Sequence, residues 1–213
     1  RWAILGFYAL LIETAAIYTG FPYGHFGYSE LLGFKLFGVT PWTVFLAWTP
    51  LILGAYAIGR ALIGNIVGRI VATALIATAF DLVLDPGAVK LGFWQYEGQG
   101  GFYGVPLSNF GGWLITGSIA AVMIEIFLRY RKPLLPTPVQ LTSSAFLTVF
   151  FWTAIAVFGA MFWPAVIGAI ILAFGMVFWL RHHYRFEEML VYVDENGNPL
   201  ATEAKSLVHH AET

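Results

Sequence analysis

Six apolar runs, at roughly 2–19, 42–63, 67–85, 107–130, 140–160 and 162–180, dominate the chain. A helix crossing a bilayer needs about 20 mainly apolar residues at ~1.5 Å rise each, and all six qualify. The first and third are short, and the last two are joined by only a residue or two around Phe162. Pro50 predicts a kink in the second run, because proline leaves one rung of the helical ladder unmade, and Pro164 suits the first turn of the sixth. The expected fold is an all-α integral membrane protein, a bundle of about six transmembrane helices with two aromatic- and glycine-rich outward loops. Its transmembrane domain is expected over residues 1–180, followed by a polar cytoplasmic tail over 181–213.

Composition agrees. The chain is 59% hydrophobic and 11% charged, where a soluble domain needs about a quarter of its residues charged to cover its surface. A net charge of −1 and a longest basic cluster of Arg129-Tyr130-Arg131-Lys132 give no reason to expect nucleic acid. The absence of cysteine excludes disulfides, thiolate catalysis and cysteine-ligated metals. The chain opens on Arg1 rather than methionine, so further residues are expected upstream. Trp2 to Tyr18 is too aromatic, and too polar near its end, for a cleaved signal peptide.

The basic residues predict orientation. Arg1, Arg60, Arg69, Arg129, Arg131, Lys132, Arg181, Arg185 and Lys205 fall on one side of the runs, and only Lys35 and Lys90 on the other. By the positive-inside rule both termini are cytoplasmic and the connections at 20–41, 86–106 and near 161 face outward. The expected setting is a multi-pass protein of a prokaryotic cell membrane. In the tail, Arg181, His182, His183 and Arg185 read as a stop-transfer flank. Val191 to Asn198 reads as a strand entering an Asn-Gly turn, and His209-His210 as chain terminus.

The two large outward connections are unusual. Phe80 to Trp113 begins with a helix carrying Asp81 and Asp85, four residues apart and so on one face. Pro86 and Gly87 are expected to stop that helix. A loop follows with Trp94, Tyr96, Phe102 and Tyr103 among five glycines, and Ser108 is a plausible N-cap of the next helix. The connection at 20–41 interleaves Tyr23, His25, Phe26 and Tyr28 with Gly20, Gly24 and Gly27. Residues 30–38 read as a short amphipathic piece in the headgroup layer, with Lys35 reaching out to water.

Carboxyl groups inside a membrane are functional candidates by default, since burying them is costly. Glu13 stands about 9 Å below the outward end of its helix, Asp85 near the outward end of the third and Asp81 one turn deeper. Three acids from two helices thus share one depth, with no intramembrane Lys or Arg to neutralise them. Crowded and poorly solvated, they cannot all stay ionised, and a neutral carboxylic acid is a proton donor. Glu125 stands four residues before Arg129, the spacing of an ordinary helical ion pair. Glu30 and Glu97 read as solvated loop residues.

Other chemistries lack their residues. No histidine or lysine falls inside a run, which argues against bis-histidine haem and a retinal Schiff base. The loop glycines lack the Lys-Ser/Thr ending of a phosphate loop. A metal site would need His25 plus acids, for which the spacing gives weak support.

Two stretches, ETAAIYTGFPYGHFGYSELLG at 13–33 and AFDLVLDPGAVKLGFWQYEGQGGFYGVPLSNFGGWLITG at 79–117, resemble the signature regions of a family of membrane carotenoid hydratases that act on acyclic carotenoid ends, the bisanhydrobacterioruberin hydratase type. The most specific elements are the D-x-x-x-D-P motif and the GVPLSN run after the aromatic-glycine loop. The resemblance implies a membrane hydro-lyase that adds water across a terminal isoprenoid double bond, leaving a tertiary alcohol without a cofactor. Its partners would be a lipid-soluble polyene and membrane lipid.

That chemistry suits the residues. Protonating a trisubstituted alkene needs a general acid, and Asp81 is the expected donor with Glu13 or Asp85 tuning it. The tertiary cation needs aromatic faces, at about 0.5–2 kcal/mol each. Trp94, Tyr96, Tyr103 and Trp113 are expected to line the end pocket with Tyr23 and Tyr28. Glu97, Asn109, His25 or a tyrosine hydroxyl is expected to place the water. A carotenoid cyclase or isomerase, which also starts by protonation, and a non-catalytic carotenoid-binding subunit are the alternatives.

Overall fold

The computed structural model describes residues 3–98, 100–130 and 140–190. Arg1, Arg131, Lys132, Lys205, the expected hairpin from Val191 and His209-His210 lie outside the described residues. Among the described residues six helices follow one another: α1 (Ala3–Thr19), α2 (Val44–Leu62), α3 (Ile66–Lys90), α4 (Leu107–Tyr130), α5 (Gln140–Phe158) and α6 (Phe162–Leu190). Five of them are long and apolar enough to cross a membrane, and α1 is a shorter apolar helix. The protein is an all-α, multi-pass membrane bundle. Two compact units divide it, Arg1–Ala173 and Phe174–Thr213, and the site described below belongs to the first.

With lipid on the outside, apolar side chains gain little by facing inward, so membrane helices hold together where small residues allow close approach. Gly54 of α2 packs against Ala145 and the Leu141 carbonyl of α5. A side chain at Gly117 of α4 would meet the backbone of Ala74 on α3, at 3.3 Å. Large apolar side chains, Phe7, Leu11, Leu75 and Phe150 among them, point outward and are exposed.

Helix α3 does not stop at Pro86. It runs on to Lys90 with Pro86 and Gly87 buried inside it. Proline removes one hydrogen bond but need not end a helix whose continuation is packed. Here Gly87 lies against the indole of Trp152, where an added Cβ would come within 2.7 Å of Cε3. Around that contact Val83, Ala88 and Trp152 form an apolar cluster with Leu84, Phe93 and Ile155. Ser108 is likewise inside α4 rather than capping it, its hydroxyl donating to the Tyr23 carbonyl at 3.2 Å.

The two large connections contain short strands that their glycine-rich composition concealed: β1 (Phe26–Tyr28), β2 (Lys35–Leu36), β3 (Thr40–Pro41) and β4 (Trp94–Tyr96). β1 and β4 pair antiparallel, with Phe26 opposite Tyr96, Gly27 opposite Gln95 and Tyr28 opposite Trp94. Backbone bonds from Ser29 to Phe93 and from Glu97 to His25, both 2.9 Å, extend the ladder. The two loops, remote in sequence, are thereby one clasp across one end of the bundle. β2 and β3 form a separate small hairpin. Lys35 does not reach for water; its Nζ donates to the Tyr28 carbonyl and to Glu30 Oε1, both at 2.7 Å.

At the other end, Glu125 pairs with Arg69 of α3 rather than with Arg129. The guanidinium donates through Nε at 2.7 Å and through a second nitrogen at 3.2 Å, and the Tyr56 hydroxyl of α2 adds a third donor at 2.9 Å. A two-pronged guanidinium contact from a neighbouring helix outcompetes an exposed i,i+4 pair. Glu125→Gln is therefore expected to lower stability by about 1–3 kcal/mol, because it leaves Arg69 without its anion. Arg129→Gln should leave stability unchanged. Thermal unfolding in detergent measures both, and the reverse ranking would refute the assignment.

Candidate functional site

α3 carries Asp81 and Asp85 on one face, α4 brings Asn109, α1 brings Glu13, and the clasp closes over them. Each of these four side chains is buried, Asp81 to 1% exposure and Glu13 to 7%. All four line one cavity of about 520 Å³.

The hydrogen bonds treat the two aspartates unequally. The Asn109 amide donates one proton to Asp81 Oδ2 and the other to Asp85 Oδ2, each at 2.6 Å. Asp85 also accepts from the Trp94 indole at its Oδ1, 2.8 Å, and from the Tyr96 hydroxyl at its Oδ2, 2.7 Å. Three donors and no acceptor suit a carboxylate. Asp81 Oδ1, by contrast, is buried without a hydrogen-bond partner among the described residues. A carboxyl that accepts at one oxygen and has the other unclaimed has a place for a proton.

β4 explains how one carboxylate collects two ring donors. Trp94 and Tyr96 are two residues apart on a strand and so present the same face. Across the ladder, the Tyr28 hydroxyl donates to Glu13 Oε2 at 3.1 Å. Burial foremost, and the neighbouring carboxyl groups after it, push the phenols of Tyr28 and Tyr96 well above the usual tyrosine range. Both therefore remain donors at any physiological pH. The amide of Asn109, the indole of Trp94 and these two phenols all give protons to carboxyl oxygens, so the cluster is rich in acceptors and held by fixed donors.

Aromatic faces surround the acids. Trp48 of α2 stacks on Trp113 of α4 with ring centres 5.3 Å apart and planes 22° from parallel. Tyr23 is buried beside them, 6.3 Å from Trp113, with its hydroxyl on Thr116 at 3.0 Å. Tyr28 and Trp94 meet edge to face at 5.6 Å. The rest of the wall is mainly apolar, with Leu51, Leu84 and Trp152 in it and Thr43 and Thr148 as its hydroxyl-bearing members.

The cavity brings together Glu13, Asp81, Asp85 and Asn109 with Tyr23, Tyr28, Trp94, Tyr96 and Trp113. Three residues that the sequence nominated do not line it. His25 is exposed and packs its ring on Gly20, and Glu97 is exposed. The Tyr103 hydroxyl accepts the Trp163 backbone N–H at 3.2 Å. Trp48, which the sequence did not single out, does line it. One tryptophan in an apolar helix gives no signal, because its partner across the bundle, Trp113, lies on another helix.

The family described as "Carotenoid biosynthesis protein" matches residues 2–175. A bisanhydrobacterioruberin hydratase from Haloarcula japonica is 42% identical over 125 residues, which span 57% of this chain and 42% of that protein. The chain thus matches about two fifths of that relative's length. No solved structure matches it. Since the family match runs from the start of α1 into α6 and takes in every residue of the cavity, the chain belongs to the carotenoid biosynthesis protein family.

Proposed function

We propose that the protein is a carotenoid hydratase, a hydro-lyase that adds water to the terminal isoprenoid double bond of an acyclic carotenoid end. The observation that carries this reading is the inequality of the two aspartates inside a cavity walled by rings. Asp81 is the proton donor. Its proton moves to the less substituted alkene carbon as the O–H bond breaks and a C–H bond forms, leaving the neighbouring carbon a tertiary cation. Asp85, fixed as an anion by Trp94, Tyr96 and Asn109, lowers the energy of that cation, as do the faces of Trp48, Trp113 and Trp94. A water held at Glu13 and Tyr28 supplies its oxygen to the cation, and the proton it sheds returns to Asp81. One water is added, and side chains suffice for every transfer. The name of the Haloarcula japonica relative supports hydration as the outcome.

Ring closure would start from the same cation but needs water kept away from it. A cavity carrying three carboxyl groups favours water capture instead. His25, Glu97 and Tyr103 have no part in this scheme. The orientation follows the basic residues, with the clasp outward, the Arg69 end and the residues from 181 on cytoplasmic, in a prokaryotic cell membrane.

In a host that makes an acyclic carotenoid, Asp81→Asn should reduce hydrated product by about 10²-fold or more while protein level holds, the size of a general-acid contribution. Chromatography with mass spectrometry of the pigments reads this out, and wild-type conversion by that variant would remove Asp81 from the acid role. Glu13→Gln and Asp85→Asn should each slow turnover without abolishing it.

Orientation has its own test, because the chain contains no cysteine. Gln95→Cys should react with a membrane-impermeant maleimide added to intact cells, and Gly64→Cys only after the cells are opened. The opposite pattern would invert the topology.

A further inference from the structure

A polyene long enough to cross a bilayer is about 30 Å long, several times the width of a cavity of about 520 Å³. The cavity therefore takes an end of such a molecule, and the remainder has to leave it somewhere. The walls indicate where. Among the lining residues only Leu46 and Ala47, in the first turn of α2, are exposed, Leu46 to 54%. On α5 the cavity is lined by Thr148 and Trp152, whose neighbours Leu147 and Phe151 are 69% and 50% exposed in the manner of a lipid-facing surface.

The two helices touch where Gly54 meets Ala145. From that crossing, Pro50 and Leu46 lie one and two turns back along α2, while Thr148 and Trp152 lie about one and two turns forward along α5. Outward of the crossing, the space between them belongs to the cavity. Pro50 has no N–H for the Leu46 carbonyl, so α2 lacks one rung of its ladder just where its lining residues become exposed. Ala47, with only a methyl group, is the smallest side chain at that mouth.

We infer that the outward halves of α2 and α5 frame a lateral portal, through which the polyene chain of the substrate lies out in the lipid while its end sits at Asp81. Ala47 sets the width of this portal. The inference rests on the function proposed above for the substrate's class, a long apolar polyene, but not on the chemistry at Asp81. It accounts for how a molecule dissolved in the bilayer reaches a site whose outward face is closed by the clasp.

The chain's lack of cysteine permits a direct test in native membranes. Ala47→Cys should react with a lipid-soluble maleimide, and an acyclic carotenoid in the membrane should slow that reaction by about tenfold through occupancy of the mouth. Ile119→Cys, exposed on α4 and away from the cavity, should label at one rate with or without the carotenoid. Labelling of the Ala47→Cys variant that ignores the carotenoid, or protection of both positions alike, overturns the portal even if the wild type makes alcohol. Selective protection in a protein that forms no alcohol would instead overturn the hydratase reading and leave the portal standing. Ala47→Trp provides a second readout. It should lower conversion of the long carotenoid severalfold without lowering protein level, whereas unchanged conversion would count against the portal.

Discussion

A single carboxamide holds the centre of this molecule together. The Asn109 NH2 group reaches two aspartates from the same face of α3, and both bonds are short, 2.6 Å. An amide has two protons there and no charge, so it can fix two carboxyl groups side by side without cancelling either. Two anions that close in an apolar space repel strongly, and one proton shared with the pair removes the conflict. The placement of Asn109 depends in turn on how closely α3 and α4 approach. Gly117 against Ala74 supplies that approach two turns further along α4.

What breaks the symmetry of the pair is the clasp. Trp94 and Tyr96 both donate their hydrogen bonds to Asp85, and neither reaches Asp81. The register of β1 against β4 sets Tyr28 opposite Trp94 and so hands a further hydroxyl to Glu13. A strand pair that looks like a minor trimming of two loops therefore decides which carboxyl is saturated with donors and which has an oxygen to spare. The same strands supply Phe26, Tyr28, Trp94 and Tyr96 to the cavity wall.

Much of this was legible in the residues. The apolar runs gave the helices because their lengths and continuity admit little else, and i,i+4 spacing put Asp81 and Asp85 on one face. The three acids could be ranked at one depth by counting residues from the span ends. Pairings between elements were not legible. Gly87 and Pro86 carry the local chemistry of a helix end, yet packing on Trp152 keeps them helical. Glu125 had a partner at the right spacing in Arg129, and a better one on another helix in Arg69. Lys35, expected to reach out to water, is anchored instead on the Tyr28 carbonyl and Glu30. Among aromatics in the loops, composition could not separate Trp94 and Tyr96, which face inward along a strand, from Tyr103, which turns to Trp163.

The central claim is that Asp81 holds a proton that Asp85 does not. Infrared spectroscopy of the purified protein tests it without any turnover. The expected spectrum has the carbonyl band of a protonated carboxylic acid, which shifts in heavy water and is absent from Asp81→Asn. A spectrum without that band, or one in which it survives Asp81→Asn and vanishes in Asp85→Asn, would contradict it.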